Sequence, residues 1–176
     1  MDYISLNNKQ FRIIKLLGKG KGGYSYLVED DFCNYFVLKQ IHHEPCDYYQ
    51  FGNKIKSEIN DYKRLSDSGI RIPKMIEVDI QNERILKEYI EGETIVHYVK
   101  NNLMKEEFYI QIEEMVNLLQ KKNLNIDFYP TNFIVQNDLI YYIDFECNEY
   151  CEEWNFKNRG SKYWSKTNEF CRDFEK

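Results

Sequence analysis

Residues 125–135, NIDFYPTNFIV, form the strongest local signal in this sequence. The first half is polar and carries Asp127, Pro130 and Asn132, which is typical of a loop. The second half starts an apolar run at 133–136 that reads as a strand. From these residues alone, the stretch is either an Asx-rich turn before a strand or a loop whose polar side chains are placed for chemistry.

The apolar run continues into a second one at 139–145, and the two meet at Asn137-Asp138. Two apolar runs separated by two turn-forming residues predict a β-hairpin. Asp144 lies in the second run, in YYIDFE, so a carboxylate is expected at a strand end close to the polar loop.

A glycine-rich turn, Gly18-x-Gly20-x-x-Gly23, lies far upstream between two predicted strands at 11–17 and 24–28. Glycine lets a backbone approach phosphate oxygens closely and adopt positive φ, so this turn is a candidate phosphate cradle. The spacing alone is weak, because similar turns bind dinucleotides or simply join two strands.

Lys39 lies in a third predicted strand, 35–41, and Glu58 lies in a helix predicted from about 50 to 66. The helix is recognised by apolar residues at helical spacing: Ile55, Ile59, Tyr62 and Leu65. Glu58 falls on this apolar face, where a carboxylate is costly unless it is paired. Lys39 is the expected partner of Glu58, and Asp61 is the weaker alternative to Glu58.

The remaining pattern predicts an α+β fold in two lobes. Further elements are expected in the order strand 74–80, strand 83–90, helix 94–100 and helix 105–121. Residues 1–91 would form an N-terminal lobe with a five-stranded antiparallel sheet and one helix. Residues 92–176 would form a reduced, mainly helical lobe with the hairpin, and a cleft is expected at 88–92.

The composition, 43% hydrophobic and 30% charged residues among 176, predicts a folded globule. No apolar stretch approaches the roughly 20 residues that span a bilayer, and the first residues do not resemble a signal peptide. We therefore expect a cytoplasmic protein with no membrane partner. A net charge of −5 argues against direct nucleic-acid binding, despite a local basic cluster near the end of the chain. That cluster consists of Lys157, Arg159, Lys162 and Lys166.

These features occur in the order found in ATP-dependent phosphotransferases, and the chain resembles the protein-kinase-like superfamily. The resemblance implies that the backbone at Gly18, Gly20 and Gly23 cradles the phosphates of ATP. It implies that Lys39, fixed by Glu58, contacts those phosphates and takes part in catalysis.

The same resemblance assigns the later residues. Asp127 would orient the attacking hydroxyl as the catalytic residue, and Asn132 and Asp144 would hold Mg²⁺. The segment from Lys87 to Gly92 resembles the hinge of these enzymes, where the backbone near Glu88 and Ile90 would pair with the adenine edge.

The sequence departs from the family pattern at four positions. Ser25 replaces a valine in the glycine loop, and Asn125 replaces the histidine of the catalytic loop. Tyr129 stands where many serine/threonine kinases have lysine. Glu146 replaces the glycine of the D-F-G motif, as in aminoglycoside- and choline-kinase-like enzymes.

The resemblance covers about residues 11–146, and the remainder contains no A-P-E motif. This short form is most similar to the RIO kinases and to the small kinase subunit of the tRNA threonylcarbamoyladenosine machinery. The aromatic and basic tail, EEWNFKNRGSKYWSK at 152–166, either covers the active-site side of the lower lobe or simply packs onto it.

Three classes of function follow from the resemblance. The first is an ATP- and Mg²⁺-dependent atypical serine/threonine protein kinase or ATPase. The second is a small-molecule kinase of aminoglycoside type. The third is a nucleotide-binding pseudokinase that acts as a regulatory subunit. The phosphoacceptor, a protein or a small molecule, is not defined by the sequence, and a protein-complex partner is one expectation.

Overall fold

The computed structural model describes residues 2–45 and 52–175. The chain divides into two compact units. The first comprises Met1–Asn60 and Pro73–Tyr89, and the second comprises Asp61–Ile72 and Ile90–Lys176.

The first unit contains an antiparallel sheet of six strands in the order β1-β2-β3-β4-β6-β5. The strands are β1 (Tyr3–Leu6), β2 (Lys9–Lys19), β3 (Gly23–Glu29), β4 (Tyr35–Ile41), β5 (Met75–Asp79) and β6 (Arg84–Glu88). The prediction of five strands was wrong because it omitted β1. This short strand forms a hairpin with β2 through a turn in which Asn7 has a φ of 49°.

Helix α1 (Lys54–Ser68) begins in the first unit and ends in the second. In the first unit its Ile55 packs against Ile41 of β4 and Ile85 of β6. Lys39 pairs with Ile85 across the sheet and therefore lies on the face that α1 covers. The first two residues of the predicted helix, 50 and 51, lie outside the described residues. The helix ends at Gly69, whose φ of +82° is the left-handed conformation that glycine favours.

The opposite face of the sheet has its own apolar cluster, formed by Leu6, Phe11, Val28, Leu38 and Leu86. The β1–β2 turn is also bonded to β5. The backbone amide of Asn7 donates to Asp79 Oδ2 over 2.9 Å, and Lys9 Nζ lies 2.6 Å from Glu77 Oε2. These bonds join two distant parts of the chain at one end of the sheet.

The second unit is built around helix α3 and a β-hairpin. Its elements are β7 (Glu93–Thr94), α2 (Ile95–Lys100), α3 (Glu106–Lys121), β8 (Leu124–Asn125), β9 (Phe133–Gln136), β10 (Leu139–Tyr142), β11 (Asn148–Glu149) and α4 (Asn168–Phe174). The helix expected at 105–121 is confirmed by α3, and one side of it faces the core: Phe108, Ile112, Met115 and Leu119 are buried, and Val116 is partly buried.

The β9–β10 hairpin turns at Asn137 and Asp138, as predicted, with both residues at positive φ (51° and 61°). Strand β10 ends at Tyr142, earlier than the predicted 145, so Asp144 lies in the irregular segment that follows it. No helix in the described part of the chain is long and apolar enough to cross a bilayer.

Candidate functional site

Lys39 and Glu58 form the ion pair that the sequence predicts. Lys39 Nζ lies 2.9 Å from a carboxylate oxygen of Glu58, and the two side chains are only 13% and 10% exposed. Strand β4 and helix α1 position them through the packing of Ile41 and Ile55. A cation and an anion held this way have fixed positions, because removing either one would leave a poorly hydrated charge.

The backbone of the glycine turn in the first unit does not adopt the positive φ angles that the sequence predicts. None of Gly18, Gly20 and Gly23 has positive φ, so that part of the prediction was wrong. The reason is that β2 and β3 extend almost to the tip, with Gly18 paired to Ser25. Gly23 is instead required by crowding, since a Cβ there would lie 2.4 Å from the carbonyl oxygen of Gln40.

Gly18 and Gly20 have open space where a Cβ would be. The ammonium of Lys39 would lie 3.7 Å from a Cβ at the neighbouring Gly22. The turn therefore places an open, narrow backbone next to a paired cation, which is an arrangement suited to a phosphate group.

The residues after β4 hold the glycine turn from the side, which the sequence did not predict. His42 Nε2 lies 3.1 Å from the carbonyl oxygen of Gly20, and its Nδ1 accepts the backbone N–H of Glu44. The Glu44 carboxylate lies 2.6 Å from Lys19 Nζ and also accepts the hydroxyl of Tyr24. Lys19 first, and then Tyr24, holds the pKa of Glu44 below its usual value.

Glu88 and Ile90, which are predicted to bind adenine, lie in the last part of the first unit and at the start of the second part of the second unit. Glu88 is the last residue of β6; its amide donates to the carbonyl of Lys74, and its carboxylate accepts the amide of Lys74. Ile90 belongs to the second unit and is 2% exposed. The role of these residues towards adenine stays a prediction.

Asp127, Asn132 and Asp144 come together in the second unit. Asn132 Nδ2 donates to the carbonyl oxygen of Asp127 over 3.2 Å, and the Asp127 carboxylate accepts the amide of Tyr129. A short 3-10 turn at Pro130–Asn132 shapes the loop. The amide of Ile143 donates to the carbonyl of Asn132 over 2.9 Å, which brings the residue before Asp144 against the loop.

Tyr142 lies beneath these acidic groups and was not predicted to matter. It is fully buried, and its hydroxyl donates to the carbonyl of Glu146 over 2.9 Å. Burial, and after it the charges of Asp144 and Asp127, raise the pKa of Tyr142 well above its usual value. Its hydroxyl therefore remains a donor.

The residue that follows Asp144, Phe145, is fixed by a hydrogen bond and by a buried aromatic contact. The Asp144 carboxylate accepts the amide of Phe145 over 2.9 Å. The Phe145 ring is 1% exposed and packs on Tyr62 of α1 with centroids 4.8 Å apart. The buried ring fixes the backbone that carries Asp144.

Asn132 and Asp144 are the residues predicted to hold Mg²⁺. Within the described ranges, no three His, Cys, Asp or Glu side chains form a ready-made metal cluster. A carboxylate from Asp144 and an amide oxygen from Asn132 nevertheless fit Mg²⁺, which typically takes one or two carboxylates and completes its shell with phosphates and water.

The two residues of the 125–132 loop that depart from the family pattern are both bonded to the C-terminal segment. Asn125 Nδ2 donates to the carbonyl oxygen of Trp154 over 3.0 Å. The hydroxyl of Tyr129 donates to Asp173 Oδ2 over 3.1 Å. The sequence shows that Asn125 and Tyr129 depart from the family pattern. It does not show their bonding partners, Trp154 and Asp173, because these are distant in sequence.

No protein-family model matches the chain. Three curated relatives are similar to it. It is 32% identical over 78 residues to the EKC/KEOPS complex subunit bud32 of Dictyostelium discoideum, covering 44% of this chain and 31% of that protein. It is 28% identical over 91 residues to the KEOPS complex subunit Bud32 of Pyrococcus abyssi, covering 50% of this chain and 41% of that protein.

The longest of the three matches is to the probable bifunctional tRNA threonylcarbamoyladenosine biosynthesis protein of Methanocaldococcus jannaschii. It is 29% identical over 133 residues, or 72% of this chain and 24% of the relative. The chain thus spans less than half the length of each of these relatives. The resemblance that the sequence predicts is confirmed: the chain is similar to two atypical protein-kinase-like Bud32 subunits of KEOPS complexes and to a probable tRNA threonylcarbamoyladenosine biosynthesis protein.

Proposed function

We propose that this chain is an ATP- and Mg²⁺-dependent phosphotransferase of the atypical serine/threonine kinase or ATPase type. The observation that carries the proposal is the grouping of Asp127, Asn132 and Asp144 in the second unit. The side chain of Asn132 donates to the Asp127 carbonyl, and the amide of Ile143, next to Asp144, donates to the Asn132 carbonyl. The buried pair of Lys39 and Glu58 supports it, because a fixed cation beside a glycine turn is suited to phosphate.

In this proposal the residues of the first unit bind and orient the nucleotide. The backbone at Gly18, Gly20 and Gly23 approaches the phosphates, and Lys39 contacts them while Glu58 fixes its position. The backbone near Glu88 and Ile90 pairs with adenine.

The residues of the second unit act on the transferred group. Asp127 orients an acceptor hydroxyl or water and takes its proton. Asn132 and Asp144 would hold Mg²⁺, which when bound neutralises charge on the phosphates. The division into functional lobes at 1–91 and 92–176 belongs to this proposal.

We also propose that the chain works within a protein complex that takes part in tRNA modification. The support is that two relatives are named as subunits of the KEOPS complex and the third as a tRNA threonylcarbamoyladenosine biosynthesis protein. Stable co-elution with KEOPS subunits from the same organism is the expected result. Elution as separate peaks at micromolar concentration would contradict this part.

A nucleotide-binding pseudokinase is the second candidate. It is favoured by Tyr129, whose hydroxyl is bonded to Asp173, so this position supplies no cation to a phosphate. The two candidates differ in turnover and not in nucleotide binding.

Two substitutions test the catalytic assignment. Asp127→Asn should leave MgATP affinity nearly unchanged and slow phosphate transfer or release by about a hundred- to ten-thousandfold, the usual contribution of a general base. Asp144→Asn should weaken the Mg²⁺-dependent part of nucleotide binding and abolish turnover as well. Release of γ-phosphate to water, protein or an aminoglycoside is the measurement.

The outcomes separate the candidates. If wild type binds MgATP but releases no phosphate, the chain is a pseudokinase. If wild type releases phosphate and both variants match it, the roles given to Asp127 and Asp144 are wrong. If only an aminoglycoside accepts phosphate, it is a small-molecule kinase.

A further inference from the structure

We propose that the C-terminal segment, residues 154–174, positions the catalytic loop through Asn125, Phe128 and Tyr129. We call this segment the C-terminal clamp. The inference deepens the proposed function and rests on it: the clamp replaces the histidine and lysine that this loop lacks, and Asn125 and Tyr129 are positioning residues.

The first contact of the clamp reaches the loop backbone next to Asp127. Trp164 is 1% exposed, and its Nε1–H donates to the carbonyl oxygen of Phe128 over 2.9 Å. A Cβ placed on Gly160 would lie 2.6 Å from the Cβ of Phe128, so the clamp backbone lies directly against the loop. One peptide carbonyl beside the proposed base is therefore fixed by a buried donor.

The second contact fixes Tyr129. Its hydroxyl donates to Asp173 of α4, and its ring lies between Tyr163 and Phe174, with centroids 5.0 and 5.3 Å away. Burial, and then the bond to Asp173, raise the pKa of Tyr129 to about 12. At neutral pH the hydroxyl is therefore protonated and donates to Asp173.

The third contact fixes the other end of the loop. Asn125 is 7% exposed, and its side-chain amide donates to the carbonyl of Trp154. The two loop residues that depart from the family pattern are therefore both bonded to the same segment. Simple packing of an aromatic tail does not require its polar contacts to fall on these two positions.

The clamp is also bonded to a residue that lies outside the loop. The hydroxyl of Tyr109, in α3, donates to the carbonyl oxygen of Trp164 over 2.9 Å. Tyr109→Phe is therefore a matched control for Tyr129→Phe. Both changes remove one hydroxyl bonded to the clamp. Tyr129→Phe removes a bond that the loop itself makes, whereas in Tyr109→Phe the Nε1–H of Trp164 can still donate to Phe128.

The kinetic test compares these two variants of the full chain. Tyr129→Phe should lower kcat for ATP turnover by about ten- to a hundredfold, the effect of a small misplacement of catalytic groups, with KM for ATP within about twofold. Tyr109→Phe should change the melting temperature but not kcat. Asp173→Ala, which removes the acceptor of the Tyr129 hydroxyl, should lower kcat as Tyr129→Phe does, and the double variant should be no worse than the worse of the two single ones.

Amide hydrogen exchange tests the clamp without activity. In Tyr129→Phe, the amides of residues 127–132 should exchange roughly five- to tenfold faster, whereas Tyr109→Phe should leave them unchanged. Unchanged exchange in Tyr129→Phe, or an equal loss of kcat in both variants, overturns the clamp. A wild type that neither binds nor turns over MgATP overturns the proposed function, and hydrogen exchange then still decides the clamp.

Discussion

The buried ion pair of Lys39 and Glu58 is better explained by function than by stability. Both side chains are nearly covered, so their dehydration costs about as much as their attraction returns, and the pair adds little to the free energy of unfolding. What the pair provides is a lysine nitrogen at a defined place. An exposed pair such as Lys9–Glu77, with the lysine 64% exposed, does not provide this.

The first prediction concerns that pair. Lys39→Ala and Glu58→Ala should each weaken MgATP binding, and the losses should not add. We expect a coupling free energy above roughly 0.5 kcal/mol in a double-mutant cycle, measured by calorimetric titration. The matched cycle on Lys9 and Glu77 should leave nucleotide affinity unchanged. Additive losses for Lys39 and Glu58 would show that the lysine does not need its partner.

The second prediction concerns the contribution of Asp79 to stability at low pH. Asn82, and after it the amide of Asn7, holds the pKa of Asp79 below its usual value. A carboxyl whose pKa is lower in the folded state contributes stability above its unfolded value of about 3.9, and this is lost as the pH falls through the folded pKa. Wild type should therefore lose stability steeply below about pH 4.

Asp79→Asn should be less stable at neutral pH and should lose less on acidification. Urea unfolding midpoints at pH 7, 4 and 3 measure both effects, and the exposed Asp31→Asn is the control. An equal acid loss in wild type and Asp79→Asn would mean that other carboxyls account for it.

In the glycine turn that joins β2 and β3, one glycine is needed for stability and another is expected to matter only for nucleotide binding. Gly23→Ala should lower the free energy of unfolding by roughly 1–3 kcal/mol, because its methyl group would collide with the Gln40 carbonyl. Gly20→Ala should leave unfolding nearly unchanged, since nothing lies within 4 Å of its Cβ position. If the backbone at Gly20 meets phosphates, this variant should instead weaken MgATP binding. Thermal melting and nucleotide titration of the two variants check both effects.

The elements were predictable where local patterns decide them. The stripe of α3, the end of α1 at Gly69 and the turn at Asn137-Asp138 all follow from residues close in sequence. Strand β1 was missed because four residues carry little periodic signal and its partner is needed to stabilise it.

The candidate site was predictable in its residue types and only partly in its contacts. The pair of Lys39 and Glu58 followed from one buried carboxylate needing a cation. The bonds from Asn125 to Trp154 and from Tyr129 to Asp173 could not be predicted, because they depend on how the last helix packs on a distant loop. The same applies to the bond from His42 to Gly20, which depends on the exact end of β4.

At the scale of the whole molecule, nucleotide binding should be visible as added stability. A ligand at a hundred times its dissociation constant adds about 2.7 kcal/mol to the free energy of unfolding. For a chain of this size, MgATP should therefore raise the melting temperature by roughly 5–10 °C. The rise should be smaller for ATP with a chelator and for Asp144→Asn. No rise with millimolar MgATP in a folded sample would contradict nucleotide binding.

The bonds between the β1–β2 turn and β5 also have a consequence for how fast the first unit can form. The amide of Asn7 and the carboxylate of Asp79 are separated by 72 residues, and Lys9 and Glu77 by 68. Contacts between such distant residues close a long loop, whose entropy must be lost before they contribute anything, and they slow folding. The N-terminal hairpin should therefore dock late, after β5 and β6 have paired.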